Sequence, residues 1–138
     1  MTSIEPQLWT DHPAAAVAFY EAAFGAVVLH RVGDGDDIDD QLAVGDARFW
    51  VTAADFERGR LDPARARGAT GRTLLVAEDP RALQARAVDA GATELSPVSE
   101  EHGWLLGRIL DPFGHEWELG RPRSRWPPAP PDGSVTEL

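Results

Sequence analysis

A chain of 138 residues with 43% hydrophobic side chains and five tryptophans can bury a real core, as one domain or as two fused modules. Its formal net charge of −10 argues against nucleic acid or an anionic membrane surface as partner and mildly favours neutral or cationic ligands. The absence of cysteine excludes disulfides, thiolate metal sites and cysteine nucleophiles, and the absence of lysine excludes Schiff-base chemistry.

Residues 4–10 have the composition of a short strand, with Pro6 suited to an edge or a strand start. Asp11-His12-Pro13 opens a helix, with Asp11 or His12 near the N-cap and proline in the first turn. Val17, Tyr20 and Phe24 then fall at helical spacing beside Ala16, Phe19 and Ala23, and Gly25 ends the helix. Residues 27–32 read as a strand. The aspartate-rich stretch 33–40 reads as an exposed turn, because its spacing does not fit a calcium loop. Two further strands, 41–44 and 47–52, flank Gly45-Asp46 as a tight hairpin.

The arginine-rich segment 55–71 reads as a linker that can hold a helical turn. A strand follows at 72–77, then a helix opened by Asp79-Pro80 and ended by Gly91, a strand at 93–98 and a loop at 99–103. Residues 104–110 and 115–120 form a last hairpin around Asp111-Pro112-Phe113-Gly114, where proline fixes φ and glycine takes the unusual backbone angle. Residues 121–138 are a proline-rich tail, expected to be mobile over its last dozen residues. No apolar run approaches 18 residues and no secretory leader is visible, so a cytoplasmic location is expected.

The two halves repeat. His12-Pro13 and Gly25-Ala26 correspond to Asp79-Pro80 and Gly91-Ala92 at an offset of 67 (12 to 79) and 66 (25 to 91) residues. Each half reads strand, helix, strand, strand, strand, which suggests duplication. The expected class is α+β: two βαβββ modules in tandem, about 4–54 and 72–120. Their curved mixed sheets enclose a cleft, and the helices pack outside.

This layout resembles the vicinal oxygen chelate superfamily, which includes glyoxalase I, extradiol dioxygenases, methylmalonyl-CoA epimerase and the fosfomycin and bleomycin resistance proteins. The resemblance rests on Asp11-His12-Pro13 with Ala18-Phe19-Tyr20-Glu21 and Phe24-Gly25-Ala26, on Glu78-Asp79-Pro80 with Ala90-Gly91-Ala92, and on Asp111-Pro112-Phe113-Gly114-His115 with Trp117-Glu118. It covers about residues 4–120 and implies one divalent ion held by four positions, on the first and last strand of each module. Carried onto this chain, those positions are Glu5, Trp50, Arg72 and Glu118. The carboxylates Glu5 and Glu118 can ligate a metal. Arg72 and Trp50 cannot. A catalytic metal is therefore not favoured, and Arg72 is expected to ion-pair with the carboxylates.

Glu118, a carboxylate among apolar strand residues, is the first candidate for chemistry, with Arg72 beside it. Assuming a four-residue loop at 111–114, Gly107 lies opposite Glu118 and leaves space for a ligand. Trp9, Trp50 and Trp104, together with Glu5, are candidate ligand-binding residues, because indole faces bind planar or cationic groups. His12, His102 and His115 read as helix-start, loop and hairpin residues, and Tyr20 as core. Three functions are compatible with this pattern. One is binding of a small aromatic or cationic molecule without catalysis. Another is glyoxalase- or epimerase-type proton transfer by Glu118, with a divalent metal or with Arg72 stabilising an oxyanion. The third is an interaction protein. A homodimer is expected, with no nucleic-acid or membrane partner.

Overall fold

The computed structural model describes residues 1–131. Its elements run β1 (Gln7–Thr10), α1 (Pro13–Phe24), β2 (Val27–Asp34), β3 (Asp37–Val44), β4 (Ala47–Ala53), a 3-10 turn (Phe56–Arg58), α2 (Pro63–Ala66), β5 (Arg72–Val76), α3 (Pro80–Asp89), β6 (Thr93–Glu101), β7 (Trp104–Leu110) and β8 (Glu116–Pro122). These are the two βαβββ modules. Each forms a four-stranded mixed sheet, ordered β1-β4-β3-β2 in the first and β5-β8-β7-β6 in the second. β1 runs parallel to β4 and β5 parallel to β8, while the other neighbours are antiparallel.

Local sequence explains most of the boundaries. α1 begins with Pro13, and its N-cap His12 gives no side-chain cap. Gly25, at φ 68°, ends it, and the Gly25 N–H donates to the Glu21 carbonyl. In α3, Asp79 caps the helix by accepting from the Ala82 N–H at 3.1 Å.

Each helix covers one face of its own sheet and leaves the other bare. On the covered side the modules share one core. Tyr20 and Phe24 of α1, Phe49 of β4 and Trp117 of β8 meet with ring centroids 5.0 to 5.8 Å apart. The buried carboxylate of Asp111 locks that junction. It accepts from the Tyr20 hydroxyl, from Trp117 Nε1 at 3.0 Å, and from the backbone N–H groups of Phe113 and His115 at 2.9 and 3.0 Å. Burial, and then the Asp111 charge, push the Tyr20 hydroxyl well above its ordinary pKa.

Two expectations are corrected. Residues 33–40 are not one exposed turn: β2 and β3 pair from Asp34↔Asp37 onward, and Ile38, Asp40 and Leu42 alternate into the core. Asp40 tolerates full burial because Arg31 grips it, Nε to Oδ1 at 2.8 Å and Nη2 to Oδ2 at 2.6 Å. Residues 99–101 belong to β6 rather than to a loop, and the chain turns at His102-Gly103. The start of the tail, ahead of the dozen residues expected to be mobile, packs on module 2. β8 runs on to Pro122, Arg123 pairs with Glu100, and Trp126 packs edge-on against Trp104 with centroids 5.3 Å apart. The rest of the expected tail, 132–138, lies outside the described residues. Among the described residues no helix is long and apolar enough to cross a membrane.

Candidate functional site

The bare sheet faces carry the polar clusters. In β8, Trp117 and Leu119 point into the core, so Glu116 and Glu118 point to the opposite face. Glu118 lies cross-strand from Arg108 of β7 and beside Leu74 of β5. Its two oxygens meet two guanidinium groups: Oε1 lies 3.3 Å from Arg72 Nε, and Oε2 lies 3.0 Å from Arg108 Nη2. Arg108 also grips Glu101, at 3.0 and 3.2 Å, and Arg72 reaches Glu116 at 3.3 Å. The result is a five-member charge network, in which the Glu118 side chain is 13% exposed and Arg72 44%. Hydrogen bonding to Arg108 holds the Glu101 carboxyl below the usual range, and Glu101 in turn raises Arg108.

The first module repeats this arrangement with different chemistry. Gln41 pairs across β3 and β4 with Trp50, as Arg108 pairs with Glu118. Trp50 pairs with Gln7 as Glu118 pairs with Leu74, so Glu5 and Arg72, each two residues earlier, are equivalent. Glu5 Oε1 accepts from Gln41 Nε2 at 2.7 Å and from Trp50 Nε1 at 3.0 Å, and Oε2 accepts from the Ser3 hydroxyl at 3.0 Å. The Gln41 amide first, then Ser3, hold the Glu5 carboxyl below its ordinary pKa.

The structure thus unites Glu118 with Arg72, and Glu5 with Trp50. Trp9 and His115 come together at a separate cavity of about 400 Å³ that Arg72 and Glu116 also line. There His115 Nε2 lies 2.9 Å from the Trp9 carbonyl. Trp104 stands apart, beside Trp126 and cross-strand from Glu101. No hydrogen bond or ion pair among the described residues joins the Glu5 and Glu118 clusters.

Gly107 does not face Glu118. It pairs with Leu119 and faces α3, where a Cβ would meet Val98 Cγ2 at 2.6 Å and Gln84 Nε2 at 2.8 Å. The buried Gln84 amide uses that gap to bond the Ser96 carbonyl and the Val98 N–H at 2.9 and 3.2 Å. The residues that sequence reasoning missed are Arg108 and Gln41. Both would have followed from the hairpin registers once the turn lengths were known.

The sequence matches the glyoxalase-like domain over residues 6–120. The chain belongs to the glyoxalase-like domain family. An uncharacterized protein of Mycobacterium tuberculosis is 34% identical over 126 residues, 87% of this chain and 74% of its own length. An Arabidopsis thaliana gene product solved by X-ray crystallography superposes with a TM-score of 0.69 at 28% identity, over 88% of this chain and 99% of that one. A bleomycin-binding protein complexed with bleomycin shares the fold, with a TM-score of 0.64 at 20% identity over 88% of this chain and 98% of that one. The family match over residues 6–120 bears out the resemblance to the vicinal oxygen chelate superfamily.

At the four positions that the superfamily resemblance assigns to a metal, the donor chemistry of Glu5, Trp50, Arg72 and Glu118 does not suit an ion. Two are carboxylates already engaged: both Glu118 oxygens by arginine N–H groups, Glu5 Oε1 by the Gln41 and Trp50 N–H groups, and Glu5 Oε2 by the Ser3 hydroxyl. The other two, Arg72 and Trp50, present protonated nitrogen rather than a lone pair. No group of three or more His, Asp or Glu side chains among the described residues is arranged to hold an ion.

Proposed function

We propose that this glyoxalase-like protein binds a small aromatic or cationic molecule against the bare sheet faces without a bound metal. The observation that carries this reading is the equivalence of the two clusters. At the positions where superfamily enzymes hold an ion, each sheet presents a carboxylate already fixed by two side-chain N–H donors, in Glu5/Gln41/Trp50 and Glu118/Arg72/Arg108. Such groups are held in place before a ligand arrives, so less ordering entropy is lost on binding. Trp50 adds an indole beside Glu5, suited to a planar or cationic group. The bleomycin-binding protein of the same fold supports the small-molecule class. We further propose a homodimer, which would let the Glu5 face of one copy meet the Glu118 face of the other.

Proton transfer by Glu118 with Arg72 as oxyanion partner has weaker support, because both Glu118 oxygens are engaged in ion pairs and would have to be released first. The test is a tryptophan-emission screen of aromatic and cationic compounds on protein dialysed against chelator, followed by Trp50→Ala and Glu118→Gln. Saturable binding that survives chelation and weakens in both variants is expected. Binding that requires added zinc, nickel or manganese would overturn the metal-free reading, and turnover lost in Arg72→Ala would restore the enzymatic one.

A further inference from the structure

A cavity of about 600 Å³ lies at the seam between the modules, lined by no member of the Glu118 network. The amino-terminal segment, the start of β4, β5 and Trp117 enclose it. Its walls are mainly apolar: Ile4, Val44, Phe49, Leu75 and Trp117. That volume lies within the range of small-molecule pockets. Glu5 also borders it, so one carboxylate faces both the Trp50 cluster and this space.

We propose that the seam cavity is a second ligand site, which takes an aromatic or branched apolar group carrying a protonated amine, with Glu5 as its counter-charge. Counting charges does not select this class, because Arg48 borders the cavity as well as Glu5 and Asp46. Positioning does. Three neutral donors fix the Glu5 carboxylate without neutralising it, and Arg48, the nearby cation, acts on it only through space. Its Oε2 accepts only the exposed Ser3 hydroxyl, so a further donor can be received there. Arg48 is exposed and makes no ion pair among the described residues, so nothing holds it toward an anion. An aromatic amine would set its ring against Phe49 and Trp117 and its ammonium at the Glu5 rim.

The probe pair is dansylcadaverine, a cation, and dansylglycine, an anion, which share one fluorophore. Dansylcadaverine is expected to saturate with one site and to bind roughly fivefold more tightly than dansylglycine at pH 7, the scale of a surface charge contact counted twice. Glu5→Gln should erase the preference, Arg48→Ala should preserve or raise it, and Ala47→Trp, which fills the cavity, should weaken both probes. In the unmodified protein dansylcadaverine affinity alone should also fall as pH falls through the carboxylate range, a readout independent of any variant's folding and of the other probe's own carboxyl group. Equal binding of the two probes, preference for the anion, or unchanged binding in Ala47→Trp would overturn the proposal.

Discussion

Replacing Asp111 by asparagine changes one atom at the junction of the two modules. The carboxylate takes two backbone N–H groups on Oδ1, and the Tyr20 hydroxyl and Trp117 Nε1 on Oδ2. An asparagine oxygen can keep the backbone pair. Its Nδ2 must then face two donors. The Tyr20 hydroxyl can rotate to accept, but the indole N–H can only donate. One charge-assisted bond is therefore lost outright, with its buried donor left facing another donor, and the other three become neutral. Such bonds contribute about 1.5–3 kcal/mol each, and the asparagine recovers part through its lower desolvation cost, so the net loss is about 3 kcal/mol. That corresponds to a fall in Tm of roughly 10 °C for a domain of this size. Tyr20→Phe removes one donor and leaves three, so it should cost about half as much. Urea unfolding followed by tryptophan emission and by far-ultraviolet circular dichroism measures both variants. The two probes should give coincident transitions, because the latch ties a module 1 helix to the module 2 hairpin. Asp111→Asn within about 0.5 kcal/mol of the parent, or Tyr20→Phe costing more than Asp111→Asn, would refute the latch.

Gly107→Ala should destabilise by about 1–3 kcal/mol, since its methyl meets Val98 and the Gln84 amide below van der Waals distance; equilibrium urea unfolding checks this. Arg108→Met strips one partner from Glu118 and the bonded guanidinium from Glu101, so a loss of about 1–2 kcal/mol is expected by the same method, and the loss should shrink in high salt as the remaining charges are screened. Tyr20 is held neutral, with its pKa raised above the ordinary 10.0. Below that value folded and unfolded chains both keep the proton and the stability is fully present. Above it the unfolded chain releases the proton first, so stability should fall as pH rises, and the fall should be absent in Tyr20→Phe. Thermal melts across alkaline pH read this difference.

The duplicated βαβββ plan was legible because each half writes the same signals at the same spacing: proline opening a helix, glycine closing it, and a hairpin after. The ion pair of Arg72 with Glu118 followed from carrying the superfamily's metal positions onto this chain, with Arg72 located by its count back from the helix start. The error at Gly107 came from the hairpin. Asp111 N–H bonds to the His115 carbonyl, and Gly114 takes a positive φ of 89°, which adds a residue to the loop beyond the four assumed. A one-residue slip exchanges the two faces of a strand, so Arg108 and not Gly107 faces Glu118. Asp40 escaped notice for a related reason. Five aspartates in eight positions read as solvated, and only the pairing of Arg31 with Asp40 across β2 and β3 shows that one of them is core. Asp111 looked like turn chemistry, and its three-dimensional partner Tyr20 lies 91 positions earlier in the chain. Nothing local in the sequence marks such a contact.

The equivalence of Glu5, Gln41 and Trp50 with Arg72, Arg108 and Glu118 bears on how the two halves have diverged. A duplicated domain starts with two interchangeable copies of one surface. Here carboxylate and donors have traded places between first and last strand, so a single substitution from one pattern to the other leaves a charge without its counterpart. Replacing Glu5 by arginine would set a cation against an amide and an indole N–H, and replacing Arg72 by glutamate would crowd three acids onto β5 and β8. Passage between the two patterns requires concerted change at three positions. The halves are thereby locked into separate roles, and a molecule lying across both would find only one of its two possible orientations matched.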